Sequence, residues 1–91
     1  MKLVKLNRRY KAFKDWGHTW AFRWDGYDPK SCNVVESIMK EMYGSQYRWN
    51  EKEYRDWRAT FGSPRRNGPR PYWVSFKDES VASVVLLKLQ N

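Results

Sequence analysis

Ninety-one residues set a single domain (residues 1 to 91), near the lower size at which one hydrophobic core holds a fold unaided. Hydrophobic residues at 41% and six tryptophans exclude a disordered chain, while the lone Cys32 excludes an intrachain disulfide and a cysteine metal site. Eighteen Lys and Arg against ten Asp and Glu give a net charge of +8, which points to a polyanionic partner or an acidic protein surface.

The opening "MKLVKLNRRYKAF" contains no apolar run of signal-peptide length, and no stretch of the chain is apolar enough to span a bilayer. Together with the unpaired cysteine this predicts an intracellular, cytoplasmic protein with no membrane partner. Val4 and Leu6 alternate with Lys5 and Asn7, and the alternation continues through Tyr10 and Ala12, which reads as a first strand. "DWGH" follows as a turn, with Gly17 free to take positive φ. "TWAFRW" is a second strand that closes a hairpin, with Trp20, Phe22 and Trp24 on one face and Ala21 and Arg23 on the other.

Asp28 is a good helix N-cap and Pro29 suits the first helical position. Val35, Ile38, Met39 and Met42 then recur at helical spacing, and Gly44 closes the segment, so the pattern predicts a helix over residues 29 to 43. Cys32, one turn before Val35, reads as a buried structural thiol. Residues 45 to 53 are polar and irregular. Two more alternating segments, Trp57–Ala59–Phe61 and Tyr72–Val74–Phe76, flank the turn-rich "GSPRRNGPRP" and predict a pair of strands joined by a basic loop. In "DESVASVVLLKL" the β-branched content allows a strand, but Asp78 as a cap and the spacing of Ala82, Val85, Leu86 and Leu89 favour a helix.

The predicted order is β-β-α-β-β-α, an α+β two-layer sandwich. Both helices cover one face of a four-stranded antiparallel sheet and the other face is partly open. Val35, Ile38, Met39, Met42, Phe61, Val74, Phe76, Val85 and Leu89 are the expected core. Edge strands leave both a monomer and a homodimer open.

The charge is blocked rather than scattered. Residues 1 to 14 carry Lys2, Lys5, Arg8, Arg9, Lys11 and Lys14 and no acid, residues 25 to 53 are mildly acidic, and residues 54 to 77 are basic again. In that last block strand alternation turns Arg58, Thr60, Trp73, Ser75 and Lys77 away from the buried face, and Arg23 joins them from the first hairpin. Arg65, Arg66 and Arg70 sit in the loop. A tryptophan among cations can stack a nucleobase while the cations neutralise phosphates. The candidate nucleic-acid-binding residues are therefore Arg23, Arg58, Arg65, Arg66, Arg70, Trp73 and Lys77, and the expected partner is a nucleic acid or nucleotide.

Simpler readings stand beside this one. The rings are needed for a small core, Trp73 can pack under the basic loop, and arginines can lie along its ring in cation–π contacts. The chain has no RNA-recognition strand signature, GxxG loop, zinc-finger spacing or phosphate-binding loop. His18 is alone, so no His pair or Cys–His dyad assembles, and it reads as a turn residue capping the first hairpin. The acids show no metal-ligand spacing, and no cofactor is implied. The chain reads as a binding protein and not an enzyme; the enzymatic alternative is a histidine-free ribonuclease working through Arg, Lys and Tyr, because electrostatic stabilisation needs no motif.

The closing "YWVSFKDESVASVVLLKL", a strand, an Asp-Glu turn and an apolar helix, resembles the ending of small uncharacterised proteins of tailed bacteriophages and covers about a fifth of the chain. The resemblance implies a phage-type accessory protein in the host cell, with no functional residue carried over. Its alternative function would be a protein-interaction module that binds and inhibits a host enzyme or defence complex, since exposed Trp, Tyr and Arg have the composition of interface hot spots.

Overall fold

In the computed structural model, which describes residues 1 to 89, the first strand, β1 (Lys2–Lys5), stops short of where alternation alone would carry it. Asn7 ends it: its side-chain oxygen accepts from the Arg9 amide at 2.9 Å and its carbonyl accepts from the Tyr10 amide at 3.0 Å, turning the chain out of the sheet. The segment expected to extend the strand through Tyr10 and Ala12 is instead a short helix, α1 (Lys11–Trp16). Gly17, at φ 69°, closes it by donating to the carbonyls of Ala12 and Phe13. The positive φ expected at Gly17 is present, but it ends a helix instead of forming a tight hairpin turn.

The other elements are β2 (Trp20–Trp24), α2 (Pro29–Tyr43), β3 (Trp57–Phe61), β4 (Tyr72–Phe76) and α3 (Ser80–Leu89). Asp28 caps α2 by accepting from the Lys30 amide at 3.2 Å, and Gly44 ends it at φ 83°. Asp78 caps α3 by accepting from both the Ser80 amide and hydroxyl, at 3.0 and 2.8 Å. The four strands form one antiparallel sheet in the order β1-β2-β4-β3, so β2 and β4 are central.

Register sorts the side chains into two faces. Leu3, Phe22, Val74 and Ala59 form one cross-strand row, and Lys5, Trp20, Phe76 and Trp57 the next. Helices α2 and α3 cover this face, burying Cys32, Val35, Ile38 and Met39 from one and Val81, Ala82 and Val85 from the other. Burial pushes the Cys32 thiol pKa up, in keeping with a structural role. Tyr72 closes one end by donating to Glu36 at 2.8 Å, with its phenol pKa pushed up by burial and by that carboxylate.

Three expected core residues lie at the rim: Met42, Phe61 and Leu89 are 37%, 43% and 37% exposed. On α3 the buried stripe is Val81, Ala82 and Val85, and Leu86 is 40% exposed. Apolar residues occupy nearly the whole circumference of this helix, so spacing alone does not choose its inner side.

Candidate phosphate-binding groove

The second face carries the rows Lys2–Arg23–Trp73–Thr60 and Val4–Ala21–Ser75–Arg58. It is less open than the alternation suggests, because α1 rises over it. Tyr10, just before α1, meets Trp73 edge-on with 5.6 Å between ring centroids, and Leu6 and Ala21 are buried beneath. Between this wall and the loop after β3 lies a groove of about 670 Å³. Ala21, Thr60, Trp73 and Ser75 line its floor, and Gly62, Ser63 and Pro64 its far side. Four cations (Arg9, Lys11, Arg58 and Arg70) line it as well, and no acid does.

Two of these arginines are held in place by groups that leave their charge unneutralised. The Arg58 guanidinium lies over the rings of Trp16 and Tyr54, at 4.7 and 4.9 Å from their centroids. Arg70 donates from Nε to the Gly62 carbonyl at 2.6 Å and stacks over Phe61 at 5.4 Å, so its anchored edge leaves the terminal nitrogens free to form a fork. Gly62 is required here: a Cβ on it would stand 2.7 Å from Trp73 Nε1 and 2.9 Å from Pro71 Cγ.

The remaining predicted site residues are placed differently. Arg23 lies over the Trp73 ring at 5.7 Å, with Nε 3.5 Å from Asp25 Oδ1 in an ion pair that lacks hydrogen-bond geometry. Arg65 approaches the same carboxylate oxygen at 3.5 Å, so Asp25 is shared by two of the predicted cations. Arg66 is exposed in the loop, and Lys77 is exposed just past β4, where its side chain runs toward Gly17. Trp73 is half-buried between Arg23 and Tyr10, which makes it part of the floor of the groove and not the free stacking platform expected.

His18 was expected in a hairpin turn; it is fully buried. Its Nε2 donates to the Tyr54 carbonyl at 2.9 Å, and Nδ1 accepts from the Ser75 hydroxyl at 2.8 Å. A carbonyl only accepts, which assigns the proton to Nε2 in the neutral ring. Burial holds the His18 pKa below its ordinary 6.5, with Lys77 and Arg58 adding to the effect against the backbone bonds. Ser75 is 4% exposed and the ring is sealed, so the pair ties α1's end and the chain before β3 to β4 instead of presenting a nucleophile.

The most exposed tryptophan lies elsewhere. Trp49 is 80% exposed in the segment between α2 and β3. It begins an edge-on series of rings, Trp49–Tyr47–Tyr54–Trp16, with centroid spacings of 4.8, 5.0 and 5.0 Å, that ends beneath Arg58. The segment is ordered by Arg48, which donates to the Tyr43 carbonyl at 2.6 Å and to Asp56 at 2.8 Å. The sequence signal for it was "YRWNEKEY", three rings inside a polar run.

No protein-family model matches the chain, and no curated protein or solved structure matches it either. Among the described residues no helix is long and apolar enough to cross a membrane.

Proposed function

We propose that the protein is a small basic binding protein that engages nucleic acid or nucleotide phosphates through the Arg- and Trp-lined second face and its adjoining loop, inside a cell. The observation that carries the reading is the pairing of Arg58 and Arg70, both fixed by neighbours other than carboxylates, at a groove lined by four cations and no acid. A fixed cation without a counterion is costly to leave unpartnered by solvent or ligand, and a guanidinium with its fork free matches phosphate geometry.

The test is a titration of a labelled single-stranded oligonucleotide at several salt concentrations. Arg58→Ala and Arg70→Ala are each expected to make the slope of log K against log salt shallower by about 0.7. Arg65→Ala is expected to do less, because Asp25 already offsets its charge. Salt-independent binding, or none at low salt, rules the reading out.

A second reading, a phage-type module that binds and inhibits a host protein, is supported by Trp49, whose exposure and aromatic backing fit an interface anchor. It predicts that Trp49→Ala abolishes retention of a defined host protein in nuclease-treated lysate while leaving oligonucleotide affinity unchanged.

A further inference from the structure

The fold leaves Trp49 80% exposed, so at least one face of its indole is open to solvent. The ring is nevertheless held. The chain folds back around it, with the Arg48 amide donating to the Glu53 carbonyl at 2.8 Å and the Glu51 amide to the Arg48 carbonyl at 3.1 Å. Lys52 closes this turn at φ 54°, a left-handed conformation that is costly for a residue other than glycine. Tyr47 braces the indole edge-on. An exposed ring on a fixed turn has little freedom left to lose when a flat partner stacks on it.

Two observations choose the partner. Among the described residues from 44 to 60, no other large apolar side chain is exposed. An anchor for a protein partner sits at the centre of a packed patch, whereas a nucleobase needs only a flat face. The second observation is the path to Arg58. Steps of 4.8 Å to Tyr47, 5.0 Å on to Tyr54 and 4.9 Å to the guanidinium keep Trp49 within about 15 Å of that cation, a span that a stacked strand rising about 3.4 Å per nucleotide covers in about five nucleotides or fewer.

We infer that Trp49 stacks an unpaired base of a single-stranded nucleic acid whose backbone is held at Arg58. This rests on the reading of the second face as phosphate-binding, and it adds the class of polymer and the base contact that Trp73 does not supply. A duplex keeps its base faces inside the stack and offers an indole only its end pairs. The charges of residues 47 to 56 balance, with Arg48, Lys52 and Arg55 against Glu51, Glu53 and Asp56. Trp49 therefore contributes stacking without releasing counterions, and the stack tolerates any base.

The experiment compares three labelled probes by fluorescence anisotropy at several salt concentrations: an oligothymidylate octamer, an abasic octamer with the same sugar-phosphate backbone, and a duplex several turns long. The wild-type protein is expected to bind the base-bearing octamer about five-fold to about a hundred-fold more tightly than the abasic one. Trp49→Ala, checked for an intact fold by circular dichroism, is expected to erase that preference while keeping the abasic and duplex affinities and every salt slope. Trp49→Phe is expected to retain part of the preference. A preference that survives in Trp49→Ala overturns the stacking role, as do equal losses on all three probes. Salt-dependent binding by wild type with no preference for the base-bearing octamer also overturns it, and leaves the phosphate-binding reading standing. Absence of binding to every probe overturns both.

Discussion

Arg58 shows how a single charge can be prepared for use. Two aromatic faces hold the guanidinium by cation–π attraction, which fixes its position without cancelling its charge as a carboxylate would. Trp16 and Tyr54, which form that cage, are in turn joined through His18, whose ring approaches Trp16 at 6.2 Å and donates to the Tyr54 carbonyl. His18 therefore couples the site to pH. Its folded-state pKa lies below 6.5, so the unfolded chain binds more protons between that lowered value and 6.5. Stability rises with pH through this window and is lost as pH falls below 6.5. A proton on Nδ1 would also add a positive charge beside Lys77 and Arg58. The thermal midpoint of wild type is expected to drop between pH 7.5 and 5, whereas that of a folded His18→Gln variant, lower at the start, is expected to change less. Parallel pH profiles for the two proteins would remove His18 from this role.

At the scale of elements, α3 gives a sharp test because its circumference is apolar almost throughout. Val85 is fully buried and Leu86 is 40% exposed. Val85→Ala is expected to cost about 1–3 kcal/mol, from the lost methyl groups and the cavity left behind. Leu86→Ala, which the sequence spacing ranks as equally buried, is expected to cost under about 1 kcal/mol. Ile38→Ala, on the well-defined stripe of α2, belongs with the larger losses at about 2–5 kcal/mol. Chemical denaturation of the three variants checks the order, and a larger loss in Leu86→Ala than in Val85→Ala would reverse the orientation of the helix.

The same contrast explains what could be read from the chain. In α2, cap, proline, stripe and terminal glycine agree, and the predicted bounds match those observed. The strands β2, β3 and β4 alternate cleanly and fall where expected. The short α1 was hidden because Tyr10 and Ala12 prolong a period of two while Asn7 ends the strand through a local side-chain bond. Phe13, Trp16 and Gly17, an apolar pair at helical spacing before a glycine, were the available signal. That one element changes the site from an open sheet face into a groove. Strand alternation placed Arg58 and Trp73 on one face correctly, but the shared carboxylate of Asp25, the carbonyl that anchors Arg70 and the burial of His18 depend on contacts distant in sequence.

Across the whole molecule, the cations behind the net charge of +8 differ in their partners as well as in their position. Arg48 and Arg55 pair with Asp56 and Glu51 and stabilise the segment before β3. Arg23 and Arg65 pair with Asp25 at the edge of the second face. Arg9, Lys11, Arg58 and Arg70 remain for the groove. Asp25 is thus a tuning residue: its single carboxylate, more than half exposed, restrains two cations close to the proposed path of a polyanion. Four phosphate contacts to a single strand predict a slope of log K against log salt of about −3. Releasing Arg23 and Arg65 by Asp25→Asn is expected to tighten single-strand binding at low salt and to steepen that slope by about 0.7–1.4. The gain should vanish when Arg23→Ala and Arg65→Ala are added to Asp25→Asn. Exposed ion pairs contribute little to stability, so the thermal midpoint of Asp25→Asn is expected to stay close to that of wild type. A slope and an affinity unchanged in Asp25→Asn would separate Arg23 and Arg65 from the binding surface and confine it to the four cations that line the groove.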